Sequence, residues 1–181
     1  MRGRSFPSIA TGVIVADQAT KWWVHHSLPV GSYRVALPGV LKLTHVHNTG
    51  SAFSLFQGAG GWLVLVSIIA LMAILRYWLG LRRRGEAISP ALLLGLALPF
   101  GGAAGNLIDR LRLGYVEDFL ELPHWPVFNV ADSAITVGAL LLVLHFMRQD
   151  APAAATNEPP EAERKLPGTA QEDGLAVPGE G

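Results

Sequence analysis

"FNVADSAITVGALLLVLHF", residues 128–146, puts a carboxylate, Asp132, at the entrance to an apolar run too continuous for the surface of a soluble helix. With Asn129 as N-cap, Asp132 falls at the third helical position. There a carboxylate complements the exposed amides and the helix dipole, and capping alone accounts for an acid. The run that follows, 131–147, approaches the roughly 20 residues that a helix needs to cross about 30 Å of hydrocarbon. Three further blocks, 6–24, 62–79 and 88–107, have the same character.

Composition agrees with this. Half of the 181 residues are hydrophobic and only 15% are charged, and the apolar residues are gathered in blocks. The expected fold is therefore an all-α membrane protein of four transmembrane helices. The first block could be mistaken for a signal peptide, because Arg2 and Arg4 precede it. Asp17, Gln18 and Lys21 interrupt its far end, however, and no small-x-small cleavage site follows, so it is read as a retained span. The absence of cysteine excludes disulfides, thiolate catalysis, cysteine-ligated metal and lipidation of the chain itself.

The formal net charge of zero hides two unlike segments. Residues 1–149 carry 12 of the 14 basic and 7 of the 14 acidic residues, a balance of +5; residues 150–181 carry the remainder, a balance of −5. The expected division is a membrane domain over 1–149 and an acidic tail over 150–181. The tail, rich in Pro, Ala, Gly and Glu, cannot bury enough apolar surface to order itself. Arg2, Arg4, Arg82 to Arg84 and Arg148 all fall on one side of a four-span arrangement, which the positive-inside rule makes cytoplasmic. Both termini then lie inside and two loops face out.

In the first outer loop, 25–61, Leu41, Leu43, His45 and His47 alternate with Val40, Lys42, Thr44 and Val46. This period of two predicts a short strand or hairpin at the membrane surface. "SAFSLFQGAGGW", residues 51–62, suits an interfacial segment. The second outer loop spans 111–130. Trp22, Trp23, Trp62 and Trp125 lie near the expected outer boundaries, as in an interfacial belt.

Ionisable groups at membrane depth are costly and mark functional sites by default. The candidates are Asp17, Gln18, Thr20, Lys21, Asn48, Asn106, Asp109, Arg110, Glu117, Asp118, Asn129 and Asp132, all at outer span ends or in outer loops. Bland readings stand beside them. Asp17 and Lys21, spaced i, i+4, read as an ion pair on a helix surface. Asn106 and Arg110 share a helix face behind "GGAAG", whose small residues permit close helix packing; they brace the site, or Arg110 meets a lipid headgroup. Two histidines on a strand are weak evidence for a metal and are usually solvated, so no metal is expected.

Capping does not explain Asp118, which sits between the apolar Val116 and Phe119 with only Glu117 beside it. Asp118 and Asp132 bound one short loop between adjacent spans and can face each other across the mouth of a bundle. Two carboxylates sharing a site cannot both ionise easily, so one holds a proton. Such a pair takes a proton from water and gives one to a leaving amine, as in aspartic proteases, and needs neither serine, cysteine nor metal.

The ordered motifs "DQATK" (17–21), "NTGSAFS" (48–54), "GGAAGNLIDR" (101–110), "GYVEDF" (114–119) and "FNVADSAI" (128–135) resemble those of the bacterial lipoprotein signal peptidases. The likeness covers roughly 9–147. It implies a four-helix enzyme of the bacterial inner membrane that removes the signal peptide from prolipoproteins just before a diacylglyceryl-modified cysteine. Catalytic aspartates are implied at Asp118 and Asp132. Supporting or substrate-binding roles are implied at Asp17, Lys21, Asn48, Gly50, Asn106, Asp109, Arg110, Asn129 and Ala131. The resemblance also implies binding of the cyclic peptide globomycin. No cofactor and no nucleic acid are expected, and the enzyme is expected to act as a monomer among membrane lipids. Glu117 departs from the family, which has an apolar residue at that place; in an extended segment it should face away from Asp118.

Three rival classes remain. A metal-dependent transferase of lipid headgroups would use Asp109, Asp118 and Asp132 to hold Mg²⁺. An ion or proton pathway would need acids staggered through the spans, which the inner halves do not carry. A structural scaffold would leave the clustered acids without a purpose.

Overall fold

A computed structural model describes residues 5–50 and 60–149. Four long helices, α1 (Ser5–Ser27), α2 (Gly60–Arg83), α3 (Pro90–Leu113) and α4 (Val130–Gln149), are joined by strands β1 (Tyr33–Leu37), β2 (Leu41–Asn48) and β3 (Val116–Glu121). The acidic tail and most of the expected interfacial segment lie outside the described residues.

Helix α3 is the hub, packing against α1, α2 and α4. Its start is set by Ser89, whose hydroxyl accepts the Leu92 N–H, followed by Pro90 at the first helical position. It ends at Gly114, whose left-handed φ of 80° lets its N–H reach the Arg110 carbonyl. A row of glycines permits the close approach. A Cβ on Gly101 would strike the Ala10 carbonyl and Val13 of α1, and one on Gly102 would strike the Ala131 carbonyl of α4.

Among the described residues, three helices are long and apolar enough to cross a membrane: Gly61–Arg83, Pro90–Leu113 and Val130–Arg148. The expected fourth, α1, has the length, with 23 residues, but does not reach this apolarity. The polar group from Asp17 to Lys21 accounts for the difference, and of it Asp17 and Lys21 are buried against protein. Helices α2 and α4 keep their large apolar side chains, among them Leu65, Ile69, Met72, Leu140 and Met147, on the outside. That is the pattern of helices solvated by lipid.

One end of the bundle carries Arg82 and Arg83 and is closed by an apolar cluster of Phe6, Trp78, Leu81, Ile88, Leu92, Leu93, Leu96 and Ala97. The opposite end carries the sheet. Its hairpin β1–β2 is antiparallel and turns at Pro38-Gly39, where Gly39 takes φ 75° and the Val40 N–H reaches the Leu37 carbonyl.

The sheet extends the expected hairpin. The strand β3, within the expected loop 111–130, pairs antiparallel with β2, and α3 runs further into that loop, to Leu113. Period-two alternation is lost in β3 because Val116, Glu117, Asp118 and Phe119 are all buried, with polar side chains engaged on both faces. Val24, Leu28 and Phe119 form a small apolar cluster beneath the sheet.

Candidate active site

Asp118 is placed by pairing. Its strand lies against β2, with Val46 opposite, and the chain then turns so that Phe128 pairs with Leu120. The residue after Phe128 is Asn129, which thus arrives beside Asp118 as α4 begins. The Asn129 amide donates to Asp118 Oδ1 at 2.7 Å, to Asn106 Oδ1 at 3.1 Å and to the Glu117 carbonyl at 3.4 Å.

Asp132 is placed by the helix start. Its N–H donates to Asn129 Oδ1 at 2.9 Å, while its own Oδ2 accepts the Asn129 N–H at 3.3 Å. This is a reciprocal capping box, with Asn129 at the N-cap and Asp132 at the third position as the sequence predicts. Asp132 Oδ1 accepts from the Asn106 amide at 2.8 Å. Asn129 therefore holds both carboxylates, one through its side chain and the other through its backbone.

Asn48 completes the frame, donating to Asp118 Oδ2 at 2.8 Å. Its own carbonyl oxygen accepts the Gly50 N–H at 2.9 Å in an Asx turn. Gly50 sits at φ 76°, a left-handed conformation that a side chain would strain. Burial pushes the Asp118 carboxyl up to about 6. The Asn48 and Asn129 amides oppose this, and the neighbouring Asp132 adds to it.

Beneath the two acids lies a buried ionic cluster, and here the surface-pair reading of Asp17 and Lys21 is overturned. Lys21 is 2% exposed and Asp17 is fully buried. Lys21 Nζ donates to Asp17 at 2.8 Å, Asp109 at 2.7 Å and Asn106 Oδ1 at 3.0 Å. Asp17 Oδ1 accepts the Ala131 N–H at 3.0 Å, and Asp109 accepts from Gln18 at 2.9 Å and from the Glu117 N–H at 3.3 Å. One lysine thus ties α1 to α3, while Asp17 and Asp109 tie that pair to α4 and β3. Gly105 makes room, since a Cβ there would collide with the Asp17 carboxylate. Nothing in the i, i+4 spacing distinguishes this from a solvated pair; the "GGAAG" run, on the helix facing it, is the signal that could have done so.

Arg110 is half-buried within electrostatic reach of Asp132, Asp118 and Asp109 and donates weakly to the Asn106 carbonyl at 3.4 Å. Glu117 points to the opposite face of β3 from Asp118, as expected, but it is buried among histidines. His45 is 1% exposed, which overturns its reading as a solvated residue. Asp109 is occupied by Lys21, and the three aspartates of a Mg²⁺ site do not assemble; the one group of metal-ligating side chains among the described residues is His25, His45 and Glu117.

Fold and site together define an integral membrane protein with two carboxylates framed by asparagines at the mouth of a helix bundle. Residues 9–148 match the family model for signal peptidase (SPase) II. The chain is 37% identical over 154 residues to a lipoprotein signal peptidase of Dehalococcoides mccartyi, covering 84% of this chain and 94% of that one. It is 44% identical over 145 residues to that of Pseudomonas putida, covering 75% and 82%. A solved bacterial membrane enzyme superposes with a TM-score of 0.73 at 26% identity, over 83% of this chain and 92% of its own. The chain belongs to the signal peptidase II family and is a membrane peptidase.

Proposed function

We propose that this protein is an aspartic endopeptidase that removes the signal peptide from diacylglyceryl-modified prolipoproteins, cutting just before the lipidated cysteine. The observation that carries the reading is the placement of Asp118 and Asp132 on either side of Asn129, with Asp118 buried and its pKa raised to about 6. Asp132, at a helix N-terminus, is the ionised base and takes a proton from water as the water attacks the scissile carbonyl. Asp118 holds the second proton and delivers it to the departing amine. Asn48, Asn106 and Asn129 orient the pair. The cluster of Asp17, Lys21 and Asp109 fixes the helices that carry it, Ala131 anchors α4 to Asp17, Gly50 shapes the turn beside Asn48, and Arg110 meets the substrate headgroup.

In this reading α1 is a fourth span, its polar residues hidden against α3 and α4. Both termini are cytoplasmic, and the sheet end lies at the outer face of the bacterial inner membrane. The lipidated substrate enters laterally from the bilayer past the lipid-solvated helices, and the enzyme acts as a monomer. Globomycin binds at the same mouth.

Incubation of the purified protein with a diacylglyceryl prolipoprotein tests the proposal. Cleavage is expected before the modified cysteine, persisting in EDTA and stopping with globomycin. Cleavage of the unmodified precursor at the same rate, or loss of turnover in EDTA that Mg²⁺ restores, would overturn it.

A further inference from the structure

On the face of β3 that points away from Asp118, three side chains from three elements meet. His25 closes α1, His45 is central in β2, and Glu117 is on β3. Their ligand atoms all lie within 4.8 Å of one another. Glu117 Oε1 is 2.7 Å from His25 Nδ1 and 3.4 Å from His45 Nε2.

The tautomer of His45 is decided by its other nitrogen. Nδ1 lies 2.8 Å from the Leu28 carbonyl, which can only accept, so Nδ1 carries the hydrogen. In the neutral ring Nε2 is then a bare lone pair. It is buried, makes no hydrogen bond and faces a carboxylate oxygen, another acceptor. Two buried acceptors turned towards each other require either a proton on Nε2, giving an imidazolium–carboxylate pair, or a metal cation between them. The neighbouring His47, whose ring centre is 5.2 Å from that of His45, also has a buried Nε2 without a hydrogen bond.

We propose that His25, His45 and Glu117 form a binding site for a divalent transition cation of the Zn²⁺ type, which staples the end of α1 to the strand carrying Asp118. The donor set is two imidazoles and one carboxylate, which suits Zn²⁺ and not Mg²⁺. A backbone carbonyl holding the far nitrogen of His45 is the usual support for a ligating histidine. Zinc-ligand bonds of about 2.0–2.2 Å in a tetrahedron separate neighbouring ligand atoms by about 3.4 Å. The His45–Glu117 separation already has this value. The His25–Glu117 contact must open by about 0.7 Å, which the half-exposed ring of His25 can accommodate as its Nδ1 hydrogen is displaced. The site is separate from the aspartate pair, and its test does not depend on proteolysis.

The test uses the full chain in detergent, freed of any histidine tag and stripped with EDTA, then titrated calorimetrically with Zn²⁺ or Mg²⁺ and followed by thermal unfolding. One equivalent of Zn²⁺ should bind and raise Tm by several degrees, with no response to Mg²⁺. Glu117→Gln and His45→Asn should each weaken binding by at least the ~10- to 100-fold that loss of a supporting partner alone costs. His25→Ala, at a half-exposed position near the end of α1, should do the same in a protein with unchanged helicity. Absence of saturable Zn²⁺ uptake by the wild type would overturn the proposal. So would undiminished uptake in all three variants, or stabilisation that follows pH alone and ignores Zn²⁺.

Discussion

The two ends of the helix bundle share α1 and α3 but are built by opposite means. At the arginine end, α1, α2 and α3 meet through Phe6, Trp78, Leu81, Leu93 and Leu96, a cluster with no charged member. At the sheet end, α1, α3 and α4 meet through Asp17, Lys21, Asn106, Asp109 and Asn129, all of them buried. Apolar packing is non-directional and tolerates small slips between helices. Hydrogen bonds to charged groups specify distance and angle. The difference teaches that geometry is enforced where two acids must be held in a defined relation, and that mere cohesion suffices elsewhere.

The largest effect expected from breaking this contrast is chemical. Asp118→Asn and Asp132→Asn should each lower cleavage of a lipidated precursor by at least about 10⁴-fold, by analogy with loss of a member from other catalytic sets. The helical content should be unchanged by circular dichroism. Near-normal processing by either variant would refute the assigned roles.

Next comes Lys21→Met, which leaves two buried carboxylates without their cation and should destabilise the protein by about 3–5 kcal/mol. Denaturant titration in mixed micelles measures this, and cleavage should fall along with stability. At the other end, Leu93→Ala should cost about 3 kcal/mol from the cavity it leaves, with turnover of the folded fraction preserved. If Leu93→Ala impaired catalysis as much as Lys21→Met, the division of labour between the two ends would be wrong.

A third measurement concerns pH. Asp118 titrates near 6 in the folded protein against an ordinary value of 3.8. Between these values the folded state holds a proton that the unfolded chain has released. The stability contributed by Asp118 is therefore complete below pH 3.8 and declines, by about 3 kcal/mol in all, as pH rises to about 6. Asp118→Asn should lack this decline, so its stability relative to the wild type should increase from pH 4 to pH 7. Parallel pH profiles would show that burial does not perturb Asp118.

The smallest expected effect is at Gly50. Gly50→Ala meets a left-handed backbone and a close Leu63 side chain, at a cost of about 1 kcal/mol, and should loosen Asn48 from Asp118. A modest drop in kcat with little change in Tm would register it.

Much of this was legible because it is local. Apolar runs announce α2, α3 and α4, alternation announces β2, and the Asn129–Asp132 spacing announces the N-terminus of α4, where the two residues bond reciprocally. Three features were not legible. The partners of Lys21 are 85 and 88 residues away, so a buried cluster and a solvated pair have the same sequence signature. The strand β3 is polar on both faces and lacks the alternation that marks a half-buried strand. His25 belongs to a helix, and only folding brings it against Glu117, 92 residues later.

By itself the sequence determined which segments are helical, where α4 starts, and that acids and amides cluster at one end of the apolar blocks. Those are consequences of hydrophobicity and of contacts between residues a few positions apart. Tertiary structure alone decided that Lys21 is buried between two carboxylates, that one asparagine holds both Asp118 and Asp132, and that Glu117 turns to histidines. The physical reason is that desolvation and hydrogen-bond partnership depend on what packs around a group, and that environment is assembled from parts of the chain far apart in sequence.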